Sequence, residues 1–97
     1  MAVLYVTENP QMTTELYDKV RARLRSEGGP RGGQFHVAAK QDGGGLLVVE
    51  VWDSEASREQ WSKTVDSVFA ELGIPKRPQP RKGEVHNMMT PEDMARP

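Results

Sequence analysis

The sequence predicts an α+β, ferredoxin-like domain ordered βαββαβ, with both helices on one face of a four-stranded antiparallel sheet. Three observations predict it. Met12, Leu16, Val20 and Leu24, and later Trp61, Val65, Val68, Phe69 and Leu72, recur at helical spacing and make one apolar stripe each. Two runs rich in β-branched residues, 34–40 and 46–52, flank the Gln41-Asp42-Gly43-Gly44-Gly45 hairpin signal. Short-range connections and the right-handed crossover rule then leave the ferredoxin-like arrangement as the natural solution. With 97 residues, 36% of them hydrophobic, the chain has apolar material for one core.

The first strand is Val3 to Thr7, ended by Asn9-Pro10, and proline suits the first turn of the helix that follows. That helix extends to about Arg25, where Gly28-Gly29-Pro30-Arg31-Gly32-Gly33 cannot continue it. After the hairpin, Asp53 or Ser54 caps the second helix, with Glu55 at its positive end and Gly73 at its C-terminus. Residues 74–80 carry three prolines and form a stiff connector. A last strand covers residues 81–88, so the domain occupies residues 1–89. The polar, proline-bounded segment 90–97 is expected to be a disordered tail.

Hairpin geometry permits a sharper deduction. Loops of three or five residues give the same register, which matches Phe35 with Val51, Val37 with Val49 and Ala39 with Leu47 on one face. All six are apolar, and this is the face expected under the helices, joined by Ala2, Leu4, Val6 and Val85. The opposite face matches Gln34 with Trp52, His36 with Glu50, Ala38 with Val48 and Lys40 with Leu46. It also takes Val3, Tyr5 and Thr7, and Glu84, His86 and Met88 from the last strand. Both histidines of the chain therefore share a face with Tyr5, Glu50, Trp52 and Glu84.

An antiparallel sheet can show a polar face to water, and two His and two Glu would then be solvated. Val3, Val48, Trp52 and Met88 are too apolar to be left together in water, which points to an interface. The expectation is a second copy of the chain packed on this face, enclosing a lined hollow between two sheets. There the polar residues need partners or a function. His36 opposite Glu50 is a ready pair, because a neighbouring carboxylate favours the imidazolium and sets its tautomer.

The strand Leu46-Leu47-Val48-Val49-Glu50-Val51-Trp52, followed by Asp53-Ser54-Glu55-Ala56, resembles the central motif of the antibiotic biosynthesis monooxygenase-like proteins. Asn9-Pro10-Gln11-Met12-Thr13 and Val85-His86-Asn87 resemble small bacterial members of the same dimeric α/β-barrel superfamily, over roughly residues 2–88. The resemblance implies a homodimer with a small-molecule pocket in each half. It covers cofactor-free oxygenases of polyphenols, haem degraders, polyketide cyclases and isomerases. Trp52 matches the pocket tryptophan of the quinone-forming oxygenases. Val48 stands where those enzymes have asparagine, and Arg58 where a tyrosine is expected, so their residue set is incomplete. No histidine lies between Ser54 and Leu72 to ligate haem.

Other chemistries have less support. The chain has no cysteine, which removes thiolate metal sites, disulfides and cysteine nucleophiles. His36, His86, Glu50 and Glu84 lack metal-ligand spacing, so neither a metal nor a cofactor is expected. The Gly-rich segments lack a phosphate-loop motif. Thirteen Lys plus Arg balance fourteen Asp plus Glu for a formal charge of −1, giving no reason to expect nucleic acid or membrane as partner. No apolar run reaches the roughly 18–20 residues of a membrane span, and the short apolar start lacks a basic leader, so a cytoplasmic address is expected.

The functional expectation is a cofactor-independent enzyme for an aromatic or polyketide-like small molecule, leading to oxygenation, cyclisation or isomerisation. His36 paired with Glu50, or His86, abstracts an acidic proton; Tyr5 stabilises the oxyanion. Trp52, Val48, Val3, Met88 and Glu84 line the substrate site. The alternative is a homodimeric small-molecule-binding or pathway-accessory protein without catalysis.

Overall fold

Thr13, extended at φ −108°, accepts a hydrogen bond on its hydroxyl from the Leu16 amide, and Ser54 does the same for Ser57. These two caps start the two long helices of the chain. The computed structural model describes residues 1–96. Its elements are β1 (Val3–Asn9), α1 (Thr14–Leu24), β2 (Gly33–Lys40), β3 (Leu46–Trp52), α2 (Glu55–Glu71), β4 (Arg81–Glu84) and α3 (Pro91–Met94), with a 3₁₀ turn over Arg25–Glu27. The strands form one antiparallel sheet in the order β2-β3-β1-β4, which is the ferredoxin-like α+β arrangement.

The hairpin has the expected register: His36 pairs with Glu50, Val37 with Val49, Ala38 with Val48 and Lys40 with Leu46. A bulge alters its far end. Gly33, rather than Gln34, stands opposite Trp52, and pairing resumes at Phe35–Val51. At the hairpin tip Gly45 has φ +83°, and a Cβ there would lie 2.6 Å from the Asn9 carbonyl oxygen, so only glycine lets the loop close on the end of β1. Gly73 ends α2 with φ +70°, as anticipated.

The assignment of faces is reversed. The helices cover the face bearing Tyr5, Thr7, His36, Val48, Glu50 and Trp52. The core beneath them joins Met12, Val20, Leu46, Val65, Val68, Phe69 and Ile74, with Tyr17, Ala38 and Trp61 packed against it. The opposite face carries exposed Phe35 and Val37 beside half-buried Leu4, Val6, Leu47 and Val49. Alternation determines which residues share a face, but both faces here are apolar enough to be covered. The polar residues tolerate the helix-covered side because the helices bring polar partners down to them.

The last strand is also shorter than expected. β4 ends at Glu84, and His86 and Met88 lie beyond it, exposed. Gly83 and the exposed Arg81, Lys82 and Glu84 provide no apolar alternation to carry the ladder further. The Lys82 ammonium bonds Glu55 at the start of α2, which fixes the strand over the helix-covered side. In the segment read as a disordered tail, Thr90 and Asp93 form a reciprocal capping box around the single exposed turn of α3. Pro97, the last residue of that segment, lies outside the described residues.

Candidate functional site

The sheet and helices do not close completely on each other. Between them lies a cavity of about 540 Å³, inside one chain rather than between two copies. Buried Thr7, Asn9, Glu50 and Trp52 of the sheet form its floor. α1 contributes Tyr17 and Val20, and α2 contributes Trp61, Val65 and Phe69. Exposed Arg21, Arg25, Pro30 and Gln34 line the side open to solvent.

A connected set of side chains starts on the cavity wall and floor at Tyr17, His36 and Glu50 and continues behind it to Arg58 and Tyr5. The Tyr17 hydroxyl is 2.7 Å from His36 Nε2. His36 Nδ1 faces Glu50 Oε2 at 3.6 Å, an ion-pair contact that is long for a hydrogen bond. Arg58 Nε donates to Glu50 Oε1 at 3.1 Å, and the same guanidinium lies 4.3 Å from the centre of the Tyr5 ring. The order is thus Tyr17, His36, Glu50, Arg58, Tyr5, drawn from α1, β2, β3, α2 and β1.

The electrostatics follow from burial. Glu50 is 7% exposed. Burial pushes its carboxyl upward, but the His36 and Arg58 contacts outweigh that and hold it below the usual carboxylate range. Glu50 is therefore a fixed negative charge at neutral pH. Burial raises both tyrosine hydroxyls, Tyr5 and Tyr17, so each remains a protonated phenol there. With Nδ1–H turned to the Glu50 carboxylate, His36 Nε2 offers its lone pair and Tyr17 donates to it. The Nε1–H of Trp52 is buried with no acceptor among the described residues, which costs roughly 1–3 kcal/mol.

Of the residues singled out from sequence, His36, Glu50, Trp52 and Val48 come together on the cavity. The others do not. Tyr5 is buried under Arg58 and does not line the cavity; Val3, Glu84, His86 and Met88 are also absent from its lining. His86 and Met88 are displaced because β4 stops short of them. Two participants were missed: Tyr17 reads as a core residue beside the α1 stripe, and Arg58 as a departure from the oxygenase pattern. For Tyr17 the signal was helical spacing, since it stands three and four residues before Val20 and Arg21 on one face. Among the described residues, no group of three or more metal-ligating side chains is present.

No protein-family model matches this sequence, and no curated protein matches it significantly. Solved structures do match. Rv0793 from Mycobacterium tuberculosis superposes with a TM-score of 0.66 at 15% identity, over 93% of this chain and 100% of that one. A protein from Chloroflexus aurantiacus named "putative antibiotic biosynthesis monooxygenase" gives 0.57 at 18%, over 92% and 95%. One of the same name from Deinococcus radiodurans gives 0.53 at 14%, over 93% and 100%. The fold is that of the antibiotic biosynthesis monooxygenase-like proteins. In this fold, the cavity, with Trp52 and Val48 on it, occupies the space between the sheet and its helices. No helix here is long and apolar enough to cross a membrane, among the described residues.

Proposed function

We propose that the chain is a cofactor-independent enzyme that removes an acidic proton from an aromatic or polyketide-like small molecule. The observation that carries this reading is the Tyr17–His36–Glu50 series on the wall of a largely apolar cavity, with Arg58 behind it on Glu50. Tyr17 passes its phenolic proton to His36 Nε2 while its oxygen accepts the substrate's C–H or O–H proton. The products of that step are a substrate anion, a restored phenol and an imidazolium. Glu50 stabilises the imidazolium, and Arg58 holds Glu50 in place. Trp52 and Trp61 provide flat apolar walls for the ring system. The substrate anion then reacts with dioxygen, cyclises or isomerises according to its own structure.

Anthrone, a planar ketone with an acidic C–H, is a suitable probe. Deuterium exchange at that carbon, followed by NMR, reads proton abstraction whether or not oxygen is consumed. The protein should accelerate exchange, and His36→Gln should remove about a hundred-fold to ten-thousand-fold of it. Equal exchange in wild type and His36→Gln would refute the proposal and leave the non-catalytic binding protein.

A homodimer is part of the same proposal, now through the other face of the sheet. Phe35 is 53% and Val37 41% exposed, in a row with half-buried aliphatics. A contiguous apolar sheet face of this kind favours face-to-face packing of two copies. Light scattering should give twice the chain mass, and Val37→Lys should halve it. A wild-type monomer at micromolar concentration would exclude the dimer.

A further inference from the structure

We infer that the ligand of the cavity carries a negatively charged head, and that its class is an aromatic carboxylate with the carboxylate at the mouth. This rests on reading the cavity as a substrate pocket and adds the charge of the substrate to it. The face of α1 turned to the cavity carries Tyr17, Val20, Arg21 and Leu24, and Arg25, the first residue of the 3₁₀ turn, continues the same stripe. Its inner end is buried at Val20 and its outer end is exposed at the two arginines.

Like charges one turn apart repel each other, so Arg21 and Arg25 are a pair in want of an anion. Neither makes an ion pair among the described residues. The contrast with Arg23, between them in sequence but off the stripe, is direct. Arg23 is held by both Glu27 and Glu71. Arg77, from the proline-rich connector, adds a third cation to the lining. It spends one Nη2–H on Asp66, while its Nε–H is buried without a partner among the described residues. Glu50 is the one carboxylate among the lining residues described, and it is already committed to Arg58 and His36.

Cations in the last turn of a helix also complement its dipole. That accounts for basic residues at this end of α1 but not for the division between a neutralised Arg23 and two unneutralised arginines on the cavity. The helix end itself presents about half a negative charge, which two full positive charges exceed. A mouth of guanidinium groups suits a planar carboxylate, since arginine presents paired donors in a fork. Further in, Trp61, Val65 and Phe69 suit the ring system. Such a ligand would place its far edge toward Tyr17 and His36.

The test compares 2-naphthoate with 2-naphthylmethanol by titration calorimetry on the full chain. These probes share a ring system and differ in charge. Naphthoate should bind about tenfold tighter at low ionic strength, and roughly 0.5 M salt should erode the preference. In the Arg21→Gln/Arg25→Gln variant the carboxylate-over-alcohol ratio should fall below about threefold. Both sites are exposed, and a circular dichroism melt checks folding. Equal binding of the two probes, or an unchanged ratio in the variant, would overturn the inference and leave the proton-abstraction reading intact. Binding of neither probe would overturn both. A preserved ratio-and-variant effect with no anthrone exchange would support the charge inference and count against catalysis alone.

Discussion

Replacing Arg58 with methionine probes the contact that allows a carboxylate to sit beneath the helices. The Arg58 side chain is 13% exposed and that of Glu50 10%, with 3.1 Å between Nε and Oε1. Removing one member of a buried ion pair leaves the other charged and uncompensated, at a cost of about 3–5 kcal/mol. The cation–π contact over Tyr5 adds about 0.5–2 kcal/mol, while the remaining His36 contact and methionine packing offset part of the loss. A net loss near 3 kcal/mol is expected from a domain whose stability is about 5–15 kcal/mol in total. Urea unfolding followed by tryptophan emission measures it. The pH dependence gives a second reading. In the wild type the folded-state carboxyl is held low, so its contribution is present above the unfolded value near 4.5 and lost as pH falls below it. Without Arg58, the His36 contact alone opposes burial, so the carboxyl should move up from its wild-type position. Arg58→Met should therefore lose less stability than the wild type as pH falls through the acid range. The pair Arg58→Met/Glu50→Leu should recover most of the loss, because apolar residues replace a buried ion pair well. A loss below about 1 kcal/mol, the scale of a surface pair, or a double variant less stable than the single one, would refute this reasoning.

Other outcomes follow from local geometry. Tyr17→Phe removes the donor to His36; it should cost about 1 kcal/mol of stability yet lower anthrone exchange at least tenfold, and an unchanged exchange rate would remove Tyr17 from the proton path. Gly45→Ala should destabilise by about 1–3 kcal/mol or more from its positive φ and its clash with Asn9. Gly43→Ala, with open space around it, should cost less, so equal melting temperatures for the two variants would contradict the close approach. Ser54→Ala should cost about 1 kcal/mol through the lost cap of α2, read by the same urea titration.

The strand pairing was readable because it depends on local arithmetic. Once the loop closes at Gly45, the partners of His36 and Val37 follow, and period-two alternation sorts the side chains into two sets. Which set meets the helices is a different kind of question. It was decided by Arg58 and Tyr17, residues from elsewhere in the chain that satisfy Glu50 and His36 from above. No periodicity in β2 or β3 contains that information. For the same reason the pattern put His36, Glu50, Trp52 and Val48 on one face, and they line a cavity within the chain, whereas the hollow was expected between two copies. His86 was misgrouped because the weakly patterned last strand was extended four residues too far.

The irregularity at Gln34 bears on how the molecule behaves at high concentration. β2 is an outer strand, and its free edge runs beside the exposed Phe35 and Val37. A straight apolar border of this sort is a template for lateral growth by incoming strands. The extra residue breaks the even run of free amides and carbonyls near the strand's start, and Lys40 places a charge at its other end. Sideways polymerisation is thereby discouraged.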